Sequence, residues 1–204
     1  MNLIALSADK TRSIVAEGGI LIDLRPIELY IQRHIRGSIP LLFEDGPGFG
    51  GRARDLLPLD ARLVLLNDDE SPLAYSADML RGKGFDVAGF LQDFKMWRGA
   101  DMAPTSAFDA GEVPANLKLL HVRDPGTIGF EDALSIPAER LWTRAAELDK
   151  SETVGVLSGW GVRAAAAVGI LERIGFSAPA LVRTRLAGSK PPTAGPESEI
   201  FRVK

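Results

Sequence analysis

The stretch "TVGVLSGWGVRAAAAVGILERIGF", residues 153–176, decides the fold. Valine and leucine crowd its opening, two glycines punctuate its middle, and an alanine-rich apolar run closes it before Gly175. That order predicts a buried strand, a tight loop and a helix. Glycine lets backbone N–H groups converge, and a helix start leaves its first N–H groups unbonded at the positive end of its dipole. The stretch therefore predicts a cradle for an anion or a nucleophile. Ser158 opens the cradle; Gly159, Trp160, Gly161, Val162 and Arg163 complete it. Arg163 falls in the first helical turn, where it can add charge-assisted hydrogen bonds.

Outward from this stretch, strands and helices alternate. Ser7 is a predicted N-cap for a helix that stops at Gly18 and Gly19. "ILIDLR" and "ARLVLLND" read as strands buried on both faces. "PIELYIQRHI" reads as a short helix, and "GPGFGG", residues 46–51, as a loop with too many glycines for a periodic element. Ser71 and Pro72 open a helix that Gly82 and Gly84 end. "DVAGFL" is a further strand and "QDFKMWRGA" a closing helical turn. This alternation predicts parallel βαβ units.

The pattern then restarts. "LKLLHVRD" answers "ILIDLRP", "FEDALSIPAERL" answers "HIRGSIPLLFED", and "PALVRTRL" answers "DVAGFLQD". The opening stretch with the preceding Glu152 answers residues 61–85. Such a series predicts duplication of one α/β unit of about 90 residues. The expected organisation is a first unit over 1–104, a linker over 105–116, a second unit over 117–188 and a tail over 189–204. Arg183 and Arg185 stand at the end of the last predicted strand.

Composition narrows the function. The 204 residues carry a net charge of −3 with no run of lysine and arginine, which argues against nucleic acid and against a membrane surface. No stretch reaches the roughly 20 apolar residues of a membrane span. The apolar run at the start is too short for a signal peptide, so a cytoplasmic protein is expected. There is no cysteine, hence no disulfide, thiolate metal site or thiol nucleophile. His34 and His121 are the two histidines, too few for a multi-histidine metal centre. No cofactor is expected.

At "GGILIDLRPIELYIQRHIRGSIPL" and "GKGFDVAGFLQDFKMWRGADMAP" the sequence resembles the rhodanese family in its tandem form. The second half resembles it through "LLHVRDP", "ALSIPAERL" and "LSGWGVRAAAAVGILERIGF". The resemblance implies an α/β protein of two rhodanese-like domains, each a mainly parallel sheet flanked by helices. It also implies a sulfurtransferase loop, Cys-x-x-Gly-x-Arg, that maps onto residues 158–163. Glycine and arginine stand in place there, but serine replaces cysteine. In the first half the loop maps onto Asn67, Asp68, Asp69, Glu70, Ser71 and Pro72, where all three are gone. The related phosphatases use a loop one residue longer, so the loop length favours sulfurtransferase ancestry.

Sulfur transfer in that family needs a thiolate that becomes a persulfide. A serine hydroxyl is not appreciably ionised and cannot take that role. The expected function is therefore a relative without sulfurtransferase turnover. It would bind a small oxyanion (sulfate, thiosulfate or phosphate), another small ligand or a protein partner. The anion would meet Ser158, Gly159, Trp160, Gly161, Val162, Arg163, Arg183 and Arg185. The competing reading is an enzyme, either a sulfurtransferase or a diverged hydrolase using Ser158. The hydrolase needs an oriented base such as His121, which stands in place of Asp23; the resemblance gives His34 a structural role. Asp68, Asp69 and Glu70 read as a solvated turn that favours the following helix start, with divalent-metal binding the lesser alternative. Trp160 marks either a docking surface or packing against the other repeat.

Overall fold

A computed structural model describes residues 3–42, 48–92, 94, 97, 101–109, 111–123, 133–158 and 162–183, with the backbone alone for Ser158 and Val162. The first half runs β1 (Ala5–Leu6), α1 (Ala8–Ala16), β2 (Ile20–Asp23), α2 (Ile27–Gln32), β3 (His34–Ile35), β4 (Ile39–Pro40), α3 (Gly48–Leu56), β5 (Arg62–Leu66), α4 (Ser71–Gly82), β6 (Asp86–Leu91) and β7 (Met102–Ala103). The second runs β8 (Ala107–Asp109), β9 (Lys118–His121), β10 (Leu134–Ser135), α5 (Leu141–Arg144), β11 (Val154–Ser158), α6 (Val162–Arg173) and β12 (Ala180–Arg183), with short 3₁₀ turns on either side of α5.

The protein is α/β, built on two five-stranded parallel sheets. Their strand orders are β1-β6-β5-β2-β4 and β8-β12-β11-β9-β10. The two orders are the same topology drawn twice, so the repeat seen in sequence is a repeat of connectivity. Every ladder within the two sheets is parallel. β2 and β5 are buried on both faces because each face has its own core. Ile20, Ile22, Leu63 and Leu65 point into one cluster, and Leu21, Val64 and Leu66 into the other with Ile14 and Trp97. The two-residue alternation of a strand produces this division.

Local chemistry explains several boundaries. Ser7 caps α1, its hydroxyl accepting from the Lys10 N–H at 3.2 Å. Gly84, at φ +97°, ends α4 in a conformation other residues adopt only with strain. The start of α4 differs from the expected serine cap: the Ser71 N–H instead donates to Asp69 Oδ1 at 3.0 Å.

Three further expectations are corrected. "GPGFGG" is not a loop throughout, because α3 begins at Gly48. Phe49, Ala53 and Leu56 lie on one helical face and are buried, and that burial outweighs the poor helix propensity of glycine. The Lys83 side chain lies over Gly50 and would have to move for a Cβ there, which would meet it at 2.9 Å. The end of "PIELYIQRHI" is not helical: His34 and Ile35 pair antiparallel with Ala103 and Met102. The stretch 105–116 is not all linker, because Ala107–Asp109 forms β8 and pairs with β12 as β1 pairs with β6. A three-residue strand is too short to show a period, and Gly111 follows within two residues, which hides it in the sequence. The expected tail, 189–204, and most of the closing turn, 92–100, lie outside the described residues.

The two repeats share one core. Leu120, Val122, Val154 and Val156 of the second sheet join the cluster of Ile20, Ile22 and Leu65. α6 lies between the halves. Its Ala164–Ala167 run, Val168, Ile170 and Leu171 are all buried, the pattern of a helix covered all round. Polar contacts lock the junction. Glu172 Oε2 lies 3.0 Å from His34 Nε2 and accepts from the Gly37 N–H at 2.9 Å. Arg36 donates to the Ser177 carbonyl, and the Trp142 indole N–H to the Leu56 carbonyl at 2.8 Å. Among the described residues no helix is long and apolar enough to cross a membrane.

Tyr30 sits at this junction, fully buried, stacked on His34 at 4.1 Å and donating to the Ser38 carbonyl at 2.9 Å. Burial, then the negative charges of Glu172 and Asp23, push its ionisation well above the ordinary 10.0. A raised folded-state value gives stability that is present below the unfolded value and lost as pH rises beyond it. The Tyr30 phenolate band at 295 nm should therefore appear only in step with alkaline unfolding. Phenolate from Tyr30 while the circular dichroism stays native would refute this; Tyr30→Phe identifies the signal.

Candidate functional site

In each sheet the strand order reverses beside the central strand, between β5 and β2 and between β11 and β9. Crevices at the carboxyl ends of parallel strands open at such reversals. The register fixes what lies there. Asp23 pairs with Leu66 in the first sheet, and His121 with Leu157 in the second. The next residues of β5 and β11, Asn67 and Ser158, thus hold equivalent places before α4 and α6.

The first crevice holds an ion pair of its own. Asp23 is 0% exposed and Arg25 4%. Arg25 Nη2 donates to Asp23 Oδ2 at 2.7 Å, and its Nε and backbone N–H each reach Oδ1 at 3.0 Å. Arg25 Nη2 also donates to the Arg33 carbonyl at 2.8 Å, and the guanidinium covers the Phe94 ring at 4.1 Å. Burial pushes the Asp23 carboxyl up, and the bonds and charge of Arg25 pull it back. The loop beyond closes on itself: Asn67 Nδ2 donates to the Asp69 carbonyl at 2.8 Å, and Asp69 Oδ1 takes the Ser71 N–H. No anion is drawn to an amide that a carboxylate already satisfies. Among the described residues no three histidine, aspartate or glutamate side chains cluster as metal ligands do.

The second crevice differs. His121, 8% exposed, stands where Asp23 stands in the first. Ser158 pairs in the ladder with Arg183, so two of the expected site residues are neighbours on adjacent strands. Arg183 is half-exposed, with Nε 3.4 Å from Asp109 Oδ1. Arg163, in the first turn of α6, forms an ion pair with Glu139. Both described cations thus already face carboxylates. Gly159, Trp160, Gly161 and Arg185 lie outside the described residues, as do the side chains of Ser158 and Val162.

The two histidines lie in different repeats, and only His121 stands beside the strand that carries Ser158. His121 pairs in register with Leu157. His34 is 0% exposed in the other repeat, with Nδ1 3.1 Å from the Tyr30 carbonyl and Nε2 against Glu172. Sequence reasoning missed Glu172, Glu139 and Asp109. Each is an isolated acid whose neighbours in the sequence give no sign of a partner; only the packing of distant segments supplies one.

No protein-family model matches the sequence, and neither does any curated protein. Among solved structures the chain is similar to the Alr3790 protein from Anabaena sp., at 20% identity and a TM-score of 0.42, over 48% of this chain and 91% of that one. It is similar to a thiosulfate sulfurtransferase from Pseudomonas aeruginosa, at 20% identity and a TM-score of 0.42, over 92% of this chain but 43% of that one. It is similar to the protein YnjE at 15% identity and a TM-score of 0.34, over 91% and 56% of the two chains.

Proposed function

We propose that this chain is a tandem rhodanese-like protein that does not turn over sulfur, and that it binds a small oxyanion at the β11–α6 loop. The observation that carries the first part is the absence of cysteine from all 204 residues, with Asn67 and Ser158 at the heads of the two equivalent loops. Persulfide chemistry needs a thiolate, and neither an amide nor a neutral hydroxyl replaces it. The second part is supported by a twelve-residue helix that starts at the carboxyl end of a central strand, with Arg163 in its first turn. An entering anion competes with Glu139 for Arg163 and with Asp109 for Arg183. That competition favours a doubly charged species, such as sulfate, thiosulfate or phosphate, and keeps affinity modest.

The two parts are tested separately. A thiosulfate:cyanide assay should stay at reagent background, and cyanolysis of the purified chain should release no sulfane sulfur. Turnover above background would end the inactive reading. Sulfate titrated against chloride at matched ionic strength should give saturable amide shifts at Arg163 and Ala164 that Arg163→Ala removes. Unsaturable or unchanged shifts would end the oxyanion reading and leave the first part standing.

A further inference from the structure

Two adjoining hollows lie on the first repeat. One, of about 190 Å³, has a polar end made by Asn67, Asp68, Glu70 and Gln92. The other, of about 290 Å³, is lined by Leu3, Glu70, Leu73, Ala74 and Phe90. They share Glu70, Leu73 and Phe90 and so form one groove, polar at one end and apolar at the other. Neither hollow is of drug size by itself; each suits one side chain.

The charge of this groove is unspent. Asp68 and Glu70 are exposed, and neither forms an ion pair among the described residues. Asp69 has already given Oδ1 to the Ser71 N–H, so the start of α4 adds no pull on an anion. The apolar end is lined by Leu3 and Phe90, both part-exposed, over the buried Leu73. Exposed apolar surface rimmed by charge is the mark of a docking site.

We propose that this groove docks a segment of a partner protein in which a lysine or arginine adjoins an apolar residue. The apolar side chain fills the hollow of Leu3, Leu73 and Phe90 and supplies most of the affinity. The cation meets Asp68 and Glu70 and sets the register. This surface belongs to the repeat without the oxyanion loop, so it stands whether or not the reading of that loop does.

Amide shifts in the ¹⁵N-labelled chain test the proposal, with a synthetic hexapeptide of alternating lysine and leucine as the probe. The same peptide with glutamate for lysine, and spermidine as a cation without apolar surface, serve as controls. The Lys/Leu peptide should shift residues 67–74 and 90–92 saturably. Glu70→Lys should weaken it about tenfold or more, with the glutamate peptide and spermidine silent. Three results overturn the proposal: no saturable shift at these residues, shifts undiminished in Glu70→Lys, or equal shifts from spermidine, which would make the groove a small-cation site. Concentration-dependent self-association that Glu70→Lys abolishes would do so as well, by making a second copy the occupant. Leu59→Lys, a change at an exposed residue outside the groove, should leave the shifts intact; their loss there would also count against it.

Discussion

Asp23→Ala should lower the unfolding free energy by about 3–5 kcal/mol, the typical cost of removing one partner from a buried ion pair. Arg25 would lose its charge partner but could not leave. Its guanidinium would still be held by the Arg33 carbonyl and the Phe94 ring, at 4% exposure. The loss would come from an uncompensated buried cation rather than from missing contacts. The double variant Asp23→Leu/Arg25→Met should therefore recover much of it, since it removes both charges and keeps most of the volume. Urea denaturation followed by tryptophan fluorescence reads both. A cost under about 1 kcal/mol for the single variant would mean water reaches Arg25 and the pair is not buried in solution.

Gly169→Ala should cost about 3 kcal/mol, against the usual gain of up to about 1 kcal/mol for alanine over glycine in a helix. A Cβ at this position would lie 2.2 Å from the Ser38 carbonyl oxygen and 3.1 Å from Ile39 Cα. Both are backbone atoms of the other repeat, with no side chain to swing aside. α6 would have to lift from β4 and take the Glu172 contacts to His34 and Gly37 with it. In a chain of this size about 3 kcal/mol corresponds to a fall of roughly 6–12 °C in Tm. Gly82→Ala is the control: nothing lies within 4 Å of a Cβ there and the position ends α4, so it should be neutral or slightly stabilising. A neutral or stabilising Gly169→Ala would show that the repeats are not packed through this helix.

The legible part of the fold was the part with strong local signals. β2, β5 and β11 are mostly apolar runs, β9 was legible as the repeat of β2, and α1, α4 and α6 follow a cap, a proline start and a glycine loop, so their types and rough limits could be read directly. α3 was not legible, because its glycines argue against a helix until Phe49, Ala53 and Leu56 find a core to face. β3, β7 and β8 were not legible either. Runs of two or three residues carry no period, and only their pairing across the chain makes them strands.

The candidate site divides in the same way. The equivalence of Asn67 and Ser158 was visible in the sequence because both end an apolar run of the repeat. The neutralisation of Arg163 by Glu139 and of Arg183 by Asp109 was not, since those carboxylates approach only when β8 and the turn before α5 are packed in place.

What the sequence determined by itself is the chemistry: a chain without a thiol has no atom to carry sulfane sulfur, whatever shape it takes. What the tertiary structure decided is the environment of the charges. It paired Arg163 and Arg183 in the second crevice, buried the Asp23–Arg25 pair in the first, and left Asp68 and Glu70 without an ion pair among the described residues, beside an apolar groove. The physical reason is range. Bonding capacity belongs to each residue, whereas the energy of a charge depends on which distant segments displace its water.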